Sequence, residues 1–169
     1  MSGRRLIETQ PSEFRVEKAR TDATLFLTNG ASAHGNFFVS GGAPSHAGPE
    51  RIKDVLNAGP GFFPFEVLGD DGVPRTVLYN REHIVFVELA GNHEPALDPG
   101  YDVAMRRDVA MLVSSGTRLR GVVSIYRPHG CDRLSDFARS PEPFLYLETR
   151  GATYLVNVRH LIELVEEIS

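Results

Sequence analysis

Apolar and polar residues alternate over positions 24–28 (TLFLT) and 35–40 (GNFFVS), a period of two that predicts half-buried β-strands. Asn29-Gly30 turns the chain between them. Residues 62–68, 76–80 and 84–89 carry three further strand-like runs. Between the second and third strands, Ile52, Val55 and Leu56 fall at helical spacing within 49–57, which predicts one or two helical turns. Asn80-Arg81-Glu82-His83 reads as the tight turn joining the last two strands.

The pattern then recurs. Residues 22–40 align with 108–126 at an offset of 86, 50–67 with 132–149 at 82, and 75–88 with 152–165 at 77. Eleven identities fall in these ungapped blocks: Asp22/Asp108, Gly30/Gly116, Gly35/Gly121, Arg51/Arg133, Asp54/Asp136, Phe62/Phe144, Glu66/Glu148, Thr76/Thr153, Leu78/Leu155, Asn80/Asn157 and His83/His160. The offset changes only in the Gly/Pro-rich stretches 41–49 and 69–74, where a shared fold tolerates length changes. The chain therefore reads as an N-terminal arm (1–21), a first module (22–89), a linker (90–103) broken by prolines and glycines, and a second module (104–169).

The repeat also arbitrates an ambiguity. Leu161, Leu164, Val165 and Ile168 fit helical periodicity on their own. The matching segment in the first copy, IVFVEL at 84–89, is β-branched and aromatic, so both are read as strands. The expected fold is mainly β: two tandem five-stranded small barrels of SH3-like or Sm-like size, each with a short helical insertion between strands two and three.

Composition narrows the function classes. No apolar run reaches the roughly 20 residues of a membrane helix, and the basic pair Arg4-Arg5 has no apolar stretch behind it to make a secretory signal. A lone cysteine, Cys131, leaves no internal disulfide. These features point to the cytoplasm. Net charge is −4, against wholesale nucleic-acid binding, but residues 106–160 hold nine arginines against five acidic residues. Arg118, Arg120, Arg127 and Arg133 are candidates for a basic face, or else reflect arginine used in place of lysine, of which only Lys18 and Lys53 occur.

Phe26-Leu27-Thr28-Asn29-Gly30, with Gly35 five residues on, resembles the first motif of the Sm-like family in the form seen in the bacterial RNA chaperone Hfq. The second copy keeps the two glycines, Gly116 and Gly121, and the apolar run Met111-Leu112-Val113. The pattern R-[IL]-x-D, F-x-x-[FL]-E, N-x-x-H-[IL] is also similar to a poorly characterised bacterial family. The Sm-like resemblance implies RNA held by the loop between strands two and three and by the turn between strands four and five. The first loop is replaced here by the insertion carrying Arg51-Ile52-Lys53-Asp54. The resemblance further implies self-association by strand pairing, with three chains closing a six-module pseudo-ring.

The remaining polar residues specify no reaction. Asn80/His83 and Asn157/His160 are either a paired binding site, one per module, or turn residues, and turn chemistry favours the second role. Arg51/Asp54 and Arg133/Asp136, at i, i+3, suit a helix ion pair or an inter-subunit contact. His129-Gly130-Cys131-Asp132 occurs in one copy only and is not read as a metal or nucleophile site. There is no phosphate loop, nucleophile elbow or zinc-protease motif. The expectation is a non-enzymatic binding or assembly module with no metal, no cofactor and no membrane contact, its partner a second copy, another protein or RNA. The alternative is an Sm-like RNA-binding protein.

Overall fold

The computed structural model describes residues 18–43, 46–91, 93–126, 130 and 133–168. Arg127, His129, Cys131, Asp132 and most of the N-terminal arm lie outside them. The chain is mainly β, and the described residues form ten strands and two short helices: β1 (Ala19–Leu27), β2 (Ser32–Val39), α1 (Ile52–Asn57), β3 (Phe62–Leu68), β4 (Pro74–Asn80), β5 (Ile84–Leu89), β6 (Met105–Val113), β7 (Arg118–Ile125), α2 (Leu134–Ala138), β8 (Phe144–Glu148), β9 (Thr153–Asn157) and β10 (Leu161–Glu166). Among the described residues no helix is long and apolar enough to cross a membrane.

The copies correspond element by element. β1 and β2 repeat in β6 and β7 at the offset of 86, and β5 repeats in β10 at 77. The three-residue helical turns 81–83 and 158–160 repeat at 77 as well. The C-terminal segment is a strand, as the first copy requires. Gly30 and Gly116 take positive φ of 83° and 85° in the hairpins, a conformation that favours glycine. At Gly35 and Gly121 a side chain would overlap the carbonyl oxygens of Glu66 and Glu148 on the neighbouring strand, so only glycine lets these strands approach.

The expectation of two closed barrels is corrected. All ten strands lie in one antiparallel sheet, ordered β10-β6-β7-β8-β9-β5-β1-β2-β3-β4. Within a copy the fifth strand returns to the first, β5 to β1 and β10 to β6, but the fourth and fifth do not pair. The second edge of β5 is taken by β9 of the other copy. Cross-copy pairing thus replaces the bond that would close each barrel, and β4 and β10 are left outermost.

Two cores result, and each borrows from the other copy. The first gathers Leu25, Phe37, Ile52, Leu56, Phe63, Phe65 and Ile84, with Phe144, Tyr146 and Leu155 from β8 and β9. The second gathers Val109, Met111, Val113, Val123, Phe137 and Leu147, with Val85 and Phe86 from β5. Strand β5 is buried on both faces, which explains its nearly unbroken apolar run. Helix α1 seals the first core with Ile52 and Leu56, and Asn57 clasps β8 through both the amide and the carbonyl of Phe144.

Candidate functional site

Three places could carry function: the turn residues that the sequence singles out, the arginines of the second copy, and the open edges of the sheet.

The turn residues of the two copies share one local job. Asn80 Oδ1 accepts from the Glu82 amide and Asn157 Oδ1 from the Arg159 amide, each at 3.1 Å, capping the helical turn that follows. His83 Nδ1 lies 3.0 Å from the Thr28 hydroxyl, and His160 Nδ1 lies 3.0 Å from that of Ser114. Beyond this they diverge. Asn157 is buried, and its Nδ2 donates at 2.9 Å to the carbonyl of Ile84 in the first copy. His160 Nε2 lies 2.6 Å from the carbonyl of Glu82, also in the first copy. The second-copy pair is therefore bonded across the β5–β9 seam. Among the described residues, Asn80 Nδ2 and His83 Nε2 have no counterpart bond.

Two of the four candidate arginines pair within the chain. Arg118 and Arg120 project from β7 towards Glu163 and Glu167, each pair at 3.4 Å. Arg107 meets Glu166 at 3.2 Å, and Arg106 meets Glu148 at 3.5 Å. Arg133 caps α2 and is exposed, with its own amide bonded to Asp136. Glu163, Glu166 and Glu167 thus pair with three arginines of the basic stretch, Arg118, Arg107 and Arg120. Arg127 lies outside the described residues.

Arg51 has a different role. Its guanidinium reaches both Asp54 oxygens and forms an ion pair with Asp98 of the linker. Asp54 also accepts from the Arg51 amide and faces His46 Nε2 at 2.7 Å. Burial alone would raise the Asp54 pKa, but the hydrogen bonds from Arg51 and His46 prevail and hold it at about 2. Glu94 of the linker accepts from the amides of Ile52 and Lys53 and from the Tyr146 hydroxyl, tying α1, linker and second copy together. Burial pushes the Tyr146 phenol up, and the adjacent Glu94 carboxylate pushes it further. The linker acids are absent from the sequence reading, which took 90–103 only as a chain breaker. No sequence signal brings Glu94 and Asp98 to Arg51 and Lys53, because 41 residues or more separate them and only the fold closes that distance.

Beside this network a cleft is lined by Lys53, Asp98, Ser124, Tyr126, Phe137 and Glu142. Asp98 Oδ2 and Ser124 Oγ are sealed from solvent without a hydrogen bond, and Asp98 Oδ2 faces the Lys53 ammonium at 3.7 Å. Among the described residues no group of acidic, histidine or cysteine side chains could hold a metal ion.

The sheet edges are different in kind. Phe62 on β3 and Leu78 on β4 are 63% and 64% exposed, and Ile162 on β10 is 62% exposed. Leu68, Val73 and Val165 add exposed apolar surface at the same two margins. Unpaired backbone groups beside exposed apolar side chains invite another strand. Comparison with family models, curated proteins and solved structures found no match for this chain.

Proposed function

We propose that this protein is a non-enzymatic binding and assembly module, built from two Sm-like units, that works by adding strands at the β4 and β10 edges. The single observation that carries this reading is that six of the eleven exposed large apolar residues among those described, Phe62, Leu68, Val73, Leu78, Ile162 and Val165, lie along the two margins of the sheet. The pairing of Arg118 and Arg120 with Glu163 and Glu167 adds support, because it places acidic groups beside two of the arginines expected to attract a phosphate backbone. The glycine-spaced hairpins present in both copies support the Sm-like reading of each unit. Three chains supplying six units is the form of assembly proposed.

Light scattering on nuclease-treated protein tests it. The expected mass is three chains of 18.7 kDa each, unchanged between low and moderate salt. A mass of one chain across a wide concentration range overturns the reading. Co-purifying nucleic acid that is released steeply by salt would favour RNA binding instead.

A further inference from the structure

The cleft beside the linker network stands outside the repeat. It is built once, from Lys53 of α1, Pro95 and Asp98 of the linker, and β7, α2 and β8 of the second copy with the residues that flank them. The first copy has no equivalent. Ser40 and Pro64 stand there where Tyr126 and Tyr146 stand here, and Asp54, the counterpart of Asp136, is held by Arg51 and His46. The cleft therefore belongs to the joined pair and to neither unit alone.

Its lining is of two kinds. Ile125, Phe137 and Tyr146 are at most 8% exposed and supply a dry apolar wall. Among the charged groups, one ammonium, that of Lys53, meets four carboxylates, those of Asp98, Asp136, Glu142 and Glu148. Two of the carboxylates are matched from behind, Asp98 by Arg51 and Glu148 by Arg106 at 3.5 Å. Lys53 is itself engaged, at 3.0 Å from Glu142 and 3.7 Å from Asp98, with its ammonium over the Tyr146 ring. Asp136 accepts from the Arg133 amide and has no cation beside it among the described residues. Negative charge is thus in excess over an apolar floor.

A second observation points to the same place. The Asp98 side chain is nine-tenths buried, and its Oδ2 makes no hydrogen bond. Ser124 Oγ makes none either. They are the two such buried side-chain atoms among the described residues, and both residues line this cleft. Folded interiors leave few polar groups in that condition. The Tyr126 phenol lies close to both: burial pushes its pKa up and the charge of Asp98 pushes it further, so it stays protonated. Tyr126 is 41% exposed, and turning its ring outward opens the sealed pair to the cleft.

We propose that this cleft binds a small organic cation, a protonated amine on a short apolar stem. The stem lies on Ile125 and Phe137. The ammonium, which has donors only, meets Asp136 and Glu142 and, once Tyr126 turns, Asp98 Oδ2. The faces of Tyr126 and Tyr146 suit a cation as well. An anion has to break the Lys53–Glu142 pair and then face the remaining carboxylates. No lining residue lies on β4 or β10, so the site stands whether or not those edges take a partner.

Isothermal titration calorimetry of the full chain tests the proposal, with n-butylammonium, benzylammonium and butane-1,4-diammonium as probes and butyrate as the anion of matching size. At least one of the three amines is expected to saturate the protein, about tenfold tighter than butyrate. Asp136→Asn keeps the oxygen that accepts from the Arg133 amide and removes the charge, so it should weaken that amine about tenfold while circular dichroism melting stays close to that of the unmodified chain. Lys53→Met removes the competing cation and should tighten the amine several-fold, the opposite of what an anion site would show. Saturation by none of the amines overturns the proposal. So does butyrate binding as tightly as the best amine, or an amine affinity that Asp136→Asn leaves unchanged.

Discussion

The two copies carry the same polar residues in unequal surroundings. Arg51 and Arg133 both stand at the start of a short helix with an aspartate three residues on, and in both the aspartate accepts from the arginine's own amide. In the first copy the linker folds over this arrangement and adds Glu94 and Asp98. In the second, among the described residues, no linker carboxylate reaches Arg133, which stays exposed. Asn157 and Asn80 are likewise matched caps, but only Asn157 is sealed under a neighbouring strand. A repeated motif thus preserves local geometry and leaves its energetic weight to whatever covers it.

The largest expected difference is at the arginines. Arg51→Ala leaves buried Asp54 with only His46, and Asp98 with only Lys53 at 3.7 Å, and should cost about 3 kcal/mol, read by denaturant unfolding. Arg133→Ala should cost less than about 0.5 kcal/mol. Equal costs would break the comparison. Next come the asparagines. Asn157→Ala loses a buried bond and a cap, about 2 kcal/mol, whereas Asn80→Ala loses the cap, about 1 kcal/mol. Measuring both on a Leu78→Lys background keeps assembly from narrowing the gap.

Acid sharpens the contrast further. The folded pKa of Asp54 lies at about 2, below its ordinary value of 3.8, so its contribution is present above about pH 4 and is lost as pH falls towards 2. That limb should amount to about 1–2 kcal/mol after solvent screening. It should flatten in Asp54→Asn when stability is followed by melting across this range. The smallest effects belong to the exposed pairs. Arg118→Ala and Arg120→Ala should each change stability by less than about 0.5 kcal/mol, and that change should shrink with added salt.

Much of this arrangement is legible from the residues. The repeat locates every strand, and it alone rescues 161–166 from a helical reading, because periodicity there is ambiguous while Ile84-Val85-Phe86-Val87 is not. The burial of β5 on both faces is implied by its apolar run, but its partner is not, since a run of apolar residues says that something covers a strand and not what. For that reason closed barrels were the natural expectation and a shared sheet the outcome. The pairing of Arg118 and Arg120 with Glu163 and Glu167 was hidden by the sequence distance between β7 and the segment that follows β6 in the sheet. The Arg51–Asp98 contact was hidden because 47 residues separate the two, and only the folding of the linker over α1 brings them together.

Strand β5 has one more consequence. It belongs by sequence to the first copy, yet its Val85 and Phe86 complete the second core, while Phe144, Tyr146 and Leu155 repay the first. Neither half retains a finished interior when the other is removed. The segment that was duplicated and the segment that melts are therefore of different sizes: the repeat is half the chain, but the cooperative unit is the whole of it, and loss of order in either half exposes the interior of both.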